Sequence, residues 1–431
     1  MTVKTIIGAS LLLGSLAACG EKDVILPGER FSLRNAPVFE NTVQSVSIPV
    51  AQENIDWTHR NGSPSHQISH PALGLSLREV FAVPIGEGDS RRARITAEPV
   101  VAGGVIYTVD ARGTVTATSA AGQTLWSRGL VPAADRVSDA SGGAVAVGGG
   151  RVYAATGYGE VTSLDAATGA VIWVQDLGAP AQAAPTLRGD LLYLVARDST
   201  AWALDVNDGR IRWQVSGTPS QANFDGGASP AVSGETLILP FPSGEVIATY
   251  PDGGLRRWST VISGDRLGRA VNLVSGIAAD PVIVGNRVYV GNFSGRIVAL
   301  DLTDGSRLWT APEGAISPVW PVGDAVFLIN DLNELVRLNA TTGDPVWRVG
   351  LPNFTDGKTA RQRAVFGHYG PILAGGRLIV TSSDGVIRQF DPTSGALIGT
   401  VDLPSGAATA PVVAGQTLYV VSKDGKLHAF R

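Results

Sequence analysis

Cysteine is almost missing from this 431-residue chain: Cys19 is the only one. An intramolecular disulfide and a cysteine-based metal cluster are therefore both excluded. Charge is also sparse. Only 17% of residues are Asp, Glu, Lys or Arg, and the formal net charge is -4, which lacks the basic footprint of a nucleic-acid binder. The N-terminal apolar run, Ile6 to Leu16, is about eleven residues long. A membrane-spanning helix needs about twenty. What is abundant is glycine, at 53 residues, with 25 prolines and 44% hydrophobic residues. That is too apolar for a disordered chain and enough for a large core.

Lys4 followed by the short apolar run reads as a signal peptide over residues 1–18. It ends in Leu16-Ala17-Ala18-Cys19, which resembles the bacterial lipobox. The resemblance implies cleavage before Cys19 and its lipidation, palmitate-type chains included, and several acyl chains make a durable anchor. Gly20, where Asp would favour inner-membrane retention, points to the outer membrane. Residues 19–54 show no sustained periodicity and are expected to be a lipidated N-terminus with a flexible tether.

Residues 55–431 repeat. Ala299-Leu300-Asp301, Asp304-Gly305 and Trp309 return as Ser163-Leu164-Asp165, Thr168-Gly169 and Trp173, and again as Ala203-Leu204-Asp205, Asp208-Gly209 and Trp213. The frame recurs at Asn339, Thr342-Gly343 and Trp347, and more weakly around Trp258 and Trp126. A seventh copy, Asp391 with Ser394-Gly395, has Gly399 in the tryptophan place. Successive copies lie about 38 to 52 residues apart, the spacing of a four-stranded propeller blade. Within one copy, Arg287 to Val290 is β-rich, Ser294-Gly295 is a turn, and Asp301 to Gly305 is a hairpin loop before the strand that carries Trp309. Trp126, Trp173, Trp213, Trp258, Trp309 and Trp347 are expected to dock one blade on the next, as girders rather than ligand contacts.

Turns between the two central strands fall at Gly113, Gly159, Ser199, Gly244, Gly295, Asn333, Gly385 and Gly425. Eight turns against seven outer-strand signatures mean that the last blade lacks its outer strand. Val80-Phe81-Ala82-Val83 fits that place, with Phe81 in the tryptophan position, so the N-terminal side of the body should close the ring. The expected fold is all-β: an eight-bladed β-propeller of four-stranded blades, its last blade closed by an N-terminal strand, around an empty hub.

This frame resembles the tryptophan-docking repeat of the quinoprotein (PQQ-like) propellers, and Trp57, Gly62, His66 and His70 resemble their lead-in segment. Two functional classes share the fold. The PQQ-dependent dehydrogenases hold their quinone beneath a ring of two adjacent disulfide-bonded cysteines, which this chain cannot form. The BamB family of outer-membrane β-barrel assembly lipoproteins is similar in length, lipobox and blade count, and in a body without cysteine. That resemblance implies a non-catalytic scaffold at the periplasmic face of the outer membrane, with no cofactor and no metal. Its partners would be the BamA-like barrel subunit and unfolded outer-membrane chains, the latter added as strands to blade edges. The family's two partner-contacting loops correspond here to Ala222–Gly226, with Phe224 and Asp225, and to Asp265-Arg266-Leu267. Asp225 stands where the family has Arg, and the paired aspartates after the second loop are replaced near Gly276 and Ala278, so the charge pairing differs. A ligand-binding surface propeller is a third reading.

Other clusters carry less. His59, His66 and His70 lie close together without a matching carboxylate or cysteine set and read as packing or solvated residues. Asp165, Asp205, Asp301 and Asp391 recur at one hairpin position and read as turn residues. The glycine-rich stretch Ser141–Gly150 lacks the Lys-Ser/Thr of a phosphate-binding loop and reads as a plain loop. Arg91-Arg92-Ala93-Arg94 is a small basic patch.

Overall fold

The computed structural model describes residues 39–220, 227–264, 276–358 and 361–431, of which Asn41–Arg431 form one compact unit. Among the described residues there are eight antiparallel sheets of four strands each. The blade-5 strands Ile277–Val284, Arg287–Asn292, Ile297–Asp301 and Arg307–Ala311 run outward from the hub, and each pairs with the next. The middle strands are apolar on both sides because a neighbouring blade covers each face: Ile297–Asp301 is buried at every position but its last. Outer strands instead alternate. Val171–Asp176 buries Trp173 and leaves Val171, Ile172 and Val174 exposed.

All eight central turns have a residue with positive φ at the expected position. Six are Gly, with φ between 75° and 99°, and the others are Ser199 (66°) and Asn333 (59°). These turns lie on one face of the ring with the loops that join each outer strand to the next blade, the upper face below. The hairpins carrying the Asp-x-x-x-Gly frame lie on the opposite, lower face. There Asp165 Oδ1 accepts hydrogen bonds from the Ala167 and Thr168 N–H groups and from the Thr168 hydroxyl.

The tryptophans join blades. Trp126, Trp173, Trp213, Trp258, Trp309 and Trp347 each donate their indole N–H to a carbonyl of the following blade, at 2.8–3.3 Å. Each ring also lies over the glycine three residues beyond that carbonyl. A Cβ on Gly209 would stand 2.7 Å from the Trp173 ring, so no larger residue fits beneath it. Five of the six rings also pack at a tilt of 34–48° on an aromatic residue of their own blade, as Tyr153 does on Trp173 with centroids 5.9 Å apart.

The ring closes between its two ends. Glu79–Pro84 pairs antiparallel with Lys426–Phe430, setting Phe81 opposite Ala429 and Val83 opposite Leu427. Beyond the strands, Arg78 and Arg431 exchange both backbone hydrogen bonds, at 2.7 and 2.9 Å.

Three expectations are corrected. The glycine-rich stretch is not all loop: Gly143–Gly148 is the inner strand of blade 2, because its small residues let it pass close to blade 1, where a Cβ on Gly143 would meet Val109 at 3.0 Å. Residues 41–54 are not a free tether. Thr42 N–H donates to the Val346 carbonyl, Asn41 brackets Arg348 through both ends of its amide, and buried Arg337 donates to the Gln44 and Ser45 carbonyls. The hub is not empty either. Residues 54–71 cross its lower end and bond to all eight blades.

Candidate partner face and channel floor

The inner strands have one unpaired edge facing the channel, and buried backbone groups there need partners. The lead-in segment supplies one or more per blade. Trp57 exchanges two backbone bonds of 2.8 Å with Val101 of blade 1, and Thr58 O accepts from Val147 of blade 2. His59 Nε2 accepts from Leu187 N–H in blade 3 at 3.0 Å. Pro64 O and Ser65 O take the N–H groups of Val232 and Ile283 in blades 4 and 5, and Ser69 O takes the Trp320 indole of blade 6. Pro71 O and His70 Nε2 take Gly375 and Gly376 of blade 7, and Asn54 O takes Gly415 of blade 8. Trp57 and Trp320 stack with centroids 6.3 Å apart, both fully buried.

The three clustered histidines are thereby assigned to the plug. His59 Nε2 must accept, so Nδ1 carries the hydrogen and donates to Thr58 Oγ1 at 2.7 Å. Burial, with His66 nearby, pushes its pKa down to about 3. His66 donates from Nδ1 to the Pro281 carbonyl, and burial lowers its pKa against the pull of Asp280. His70 donates from Nδ1 to Pro49 O. Among the described residues no group of three or more His, Cys, Asp or Glu is placed to hold a metal ion.

Above the plug, Arg60 points into the channel between Asp280 Oδ2 (3.1 Å) and Glu98 Oε1 (3.4 Å) and donates to the Gly227 carbonyl. Burial opposes the charge on Arg60, but Asp280 and Glu98 outweigh it and raise its pKa. Burial raises Glu98 more than Arg60 lowers it. Asp280 also accepts from Ser229 N–H at 2.5 Å. Sequence reading missed all three residues, since Arg60 and Asp280 are far apart in the chain and neither stands in a motif. As a seat for a quinone with a divalent ion the channel floor fits poorly, because its two buried carboxylates already face a guanidinium.

Glu79, His428 and Ser422 also come together unannounced. His428 Nδ1 lies 3.1 Å from Glu79 Oε1, and Nε2 lies 2.9 Å from Ser422 Oγ. The order resembles a hydrolase triad. However, Ser422 is 0% exposed and donates to Asp424 Oδ1, so the group clamps the closing blade.

Phe224, Asp225, Asp265, Arg266 and Leu267 lie outside the described residues, as does Cys19. The described residues flanking the two loops emerge on the upper face, from consecutive blades. Gly217 N–H bonds to Ser199 O and Thr218 N–H to Glu245, Gly227 N–H bonds to Gln182 O, and Gly264 O accepts from Ser294.

A family model described as outer membrane protein assembly factor BamB matches residues 111–349 and 333–431. The chain belongs to the BamB family. It is 23% identical over 341 residues to the BamB of Moranella endobia (strain PCIT), covering 77% of this chain and 84% of the relative. It is 24% identical over 336 residues to that of Escherichia coli (strain K12), covering 77% and 83%. Among solved structures, BamB from Moraxella catarrhalis superposes with a TM-score of 0.67 at 20% identity, over 83% of this chain and all of that one. Quinohemoprotein alcohol dehydrogenase from Comamonas testosteroni superposes with a TM-score of 0.65 at 14% identity, over 88% and 81%. At such identities the superpositions speak for the propeller alone. Membership of the BamB family rests on the sequence match and makes the chain an outer-membrane assembly propeller.

Proposed function

We propose that the chain is a non-catalytic scaffold, acylated at Cys19 and held at the periplasmic face of the outer membrane, that binds a BamA-like barrel subunit. The carrying observation is the match of the BamB family over residues 111–349 and 333–431. The channel supports it: its lower end is filled by the chain itself, and its two buried carboxylates already face Arg60. Phe224, Asp225, Asp265, Arg266 and Leu267 form the partner patch, on loops whose flanks share one face. An aromatic beside an arginine suits the centre of an interface. Unfolded outer-membrane chains are the second class of ligand, added as strands to blade edges.

Affinity purification of the full chain from detergent-solubilised envelopes tests this. An outer-membrane barrel protein should co-purify, and Phe224→Ala with Arg266→Glu should lose it. Undiminished capture by the double variant removes the patch. Capture of no barrel protein by the unmodified chain removes the scaffold reading. Stoichiometric binding of added PQQ and calcium, with dye reduction, would replace it by an oxidoreductase.

A further inference from the structure

The described arms of the loop from blade 6 to blade 7, residues 353–358 and 361–366, pair with each other on the upper face. Thr355 N–H bonds to Ala364 O and Phe366 N–H to Asn353 O, and Phe354 bridges Val365. Phe354 is 41% and Val365 56% exposed, an aromatic and an aliphatic side chain held side by side in solvent. Lys358, Arg361 and Arg363 on the same hairpin are exposed, and among the described residues none of their side chains forms an ion pair, although the Lys358 backbone N–H donates to Asp356 Oδ1 at 2.9 Å. Arg91 and Arg92, on the blade 8 to blade 1 loop of the same face, are exposed in the same way. Beside the Arg91–Arg92 loop, Asp89 and Arg94 line a recess with Tyr369 of the blade-7 inner strand. Of the acidic residues in this sector, Glu87 faces Arg112 at 3.6 Å and Asp89 pairs with Arg94 at 3.1 Å, while Asp356 accepts only a backbone N–H. In a chain of net charge -4 this is a local concentration of cations.

The compact unit Asn41–Arg431 begins in the same sector. Asn41 is bonded to Arg348 on the outer strand of blade 6, Pro345–Gly350, whose end opens into this hairpin.

We propose that the upper-face sector from blade 6 to blade 1 rests on an anionic phospholipid surface, with Phe354 and Val365 in the headgroup layer and the five cations over phosphates. This rests on the reading of Cys19 as an acyl anchor, and it adds a second, reversible contact to that anchor. A bilayer surface accepts dispersed cations and apolar side chains together. It suits cations spread over two loops better than the fixed points of an acidic protein would. The partner loops leave the same face at blades 3 to 5, so the propeller would stand tilted, one sector on lipid and the other on protein.

The body has no cysteine, so Ala364→Cys in the full acylated chain takes a single environment-sensitive fluorophore, and Asp252→Cys on the lower face serves as control. On vesicles of phosphatidylcholine with phosphatidylglycerol, the label at residue 364 should shift to the blue and be quenched by a bilayer-embedded nitroxide. The control should do neither. Phosphatidylcholine alone, salt at about 0.5 M, or Lys358→Glu, Arg361→Glu and Arg363→Glu together should each abolish the shift. An identical spectrum on both vesicle types, a shift that survives charge reversal, or one that needs an added barrel protein overturns the proposal. Flotation on phosphatidylcholine reads the anchor separately. A chain that does not float there lacks the Cys19 anchor, while the phosphatidylglycerol-dependent shift still decides the hairpin.

Discussion

The ring of Phe81 lies on the backbone of Gly122, where a Cβ would come within 2.8 Å of Phe81 Cγ. This is the same aromatic-on-glycine dock that Trp126 makes on Gly169, but it is formed across the closure by the strand that completes blade 8. Phe has no indole N–H, so this dock lacks the hydrogen bond to the next blade that the six tryptophans make. The following junction in the opposite direction, from blade 7 to blade 8, has neither half of the pair. Gly399 stands in the aromatic place, and blade 8 has no covalent hairpin to carry the glycine. The closing blade therefore has this aromatic-on-glycine dock on one side only.

Phe81→Ala should destabilise the body by about 2–4 kcal/mol, the low side of a fully buried phenylalanine because Phe81 is partly exposed. Gly122→Ala should cost at least about 1 kcal/mol, since its φ is +81° and the methyl meets the ring. Because both remove one contact, the double variant should be less destabilised than the sum. Urea unfolding of the three variants measures this, and strict additivity would mean that the ring and the glycine act independently.

The closing blade holds a second test. Ser422→Ala should cost about 1–3 kcal/mol, because it strips a buried hydrogen bond from His428 Nε2 and another from Asp424. A serine-reactive phosphonate should not label the native chain, since the hydroxyl is fully buried. Labelling at Ser422 with retained fold would turn the clamp into a catalytic triad.

The propeller was legible in sequence where a side chain had to be of one kind. Positive φ at the central turns selects Gly, and even Ser199 and Asn333 sit there among glycines, so eight turns could be counted. Phe81 could be placed because one outer strand was missing and one aromatic stood in the right register. The plug was hidden for the opposite reason. Residues 54–71 hold the blades through carbonyls such as those of Pro64, Ser65 and Pro71, and a carbonyl leaves no mark on residue choice. The same holds for Gln44 and Ser45, which accept from Arg337 through their backbone. The Arg60–Asp280 pair was hidden by distance along the chain, since only closure of the ring brings blade 5 over the lead-in segment.

Protonation should loosen the plug. His59 is held neutral in the fold, with its pKa down at about 3 against about 6.5 when unfolded. Between those values the unfolded state binds the extra proton, so stability is full above about pH 6.5 and falls as the pH drops toward 3. At pH 5 the loss from this residue is about 2 kcal/mol. His66 and His368, also lowered chiefly by burial, act in the same direction. Thermal unfolding from pH 7.5 to 5 should show a falling midpoint. His59→Gln, whose amide oxygen can still accept from Leu187, should flatten the slope. An unchanged slope would mean that His59 is accessible to protons in the native ring.

The channel floor makes the sharpest distinction between its three charges. Arg60, Glu98 and Asp280 together carry one excess negative charge if both carboxylates are ionised, and burial already raises Glu98 toward its neutral form. Glu98→Gln should therefore be nearly neutral or slightly stabilising, since it leaves one cation facing one anion. Asp280→Asn should cost more, because Asp280 is the nearer partner of Arg60 and also accepts from Ser229 N–H. Arg60→Met should be worst, at about 3–5 kcal/mol, as it strands two buried carboxylates and removes the donor to Gly227. Adding Glu98→Gln and Asp280→Asn to Arg60→Met should recover part of that loss, since no uncompensated charge remains. Guanidinium denaturation of the series gives the order directly. If Glu98→Gln proved as damaging as Arg60→Met, Glu98 would have to be ionised in the fold and the excess charge balanced by something other than Arg60.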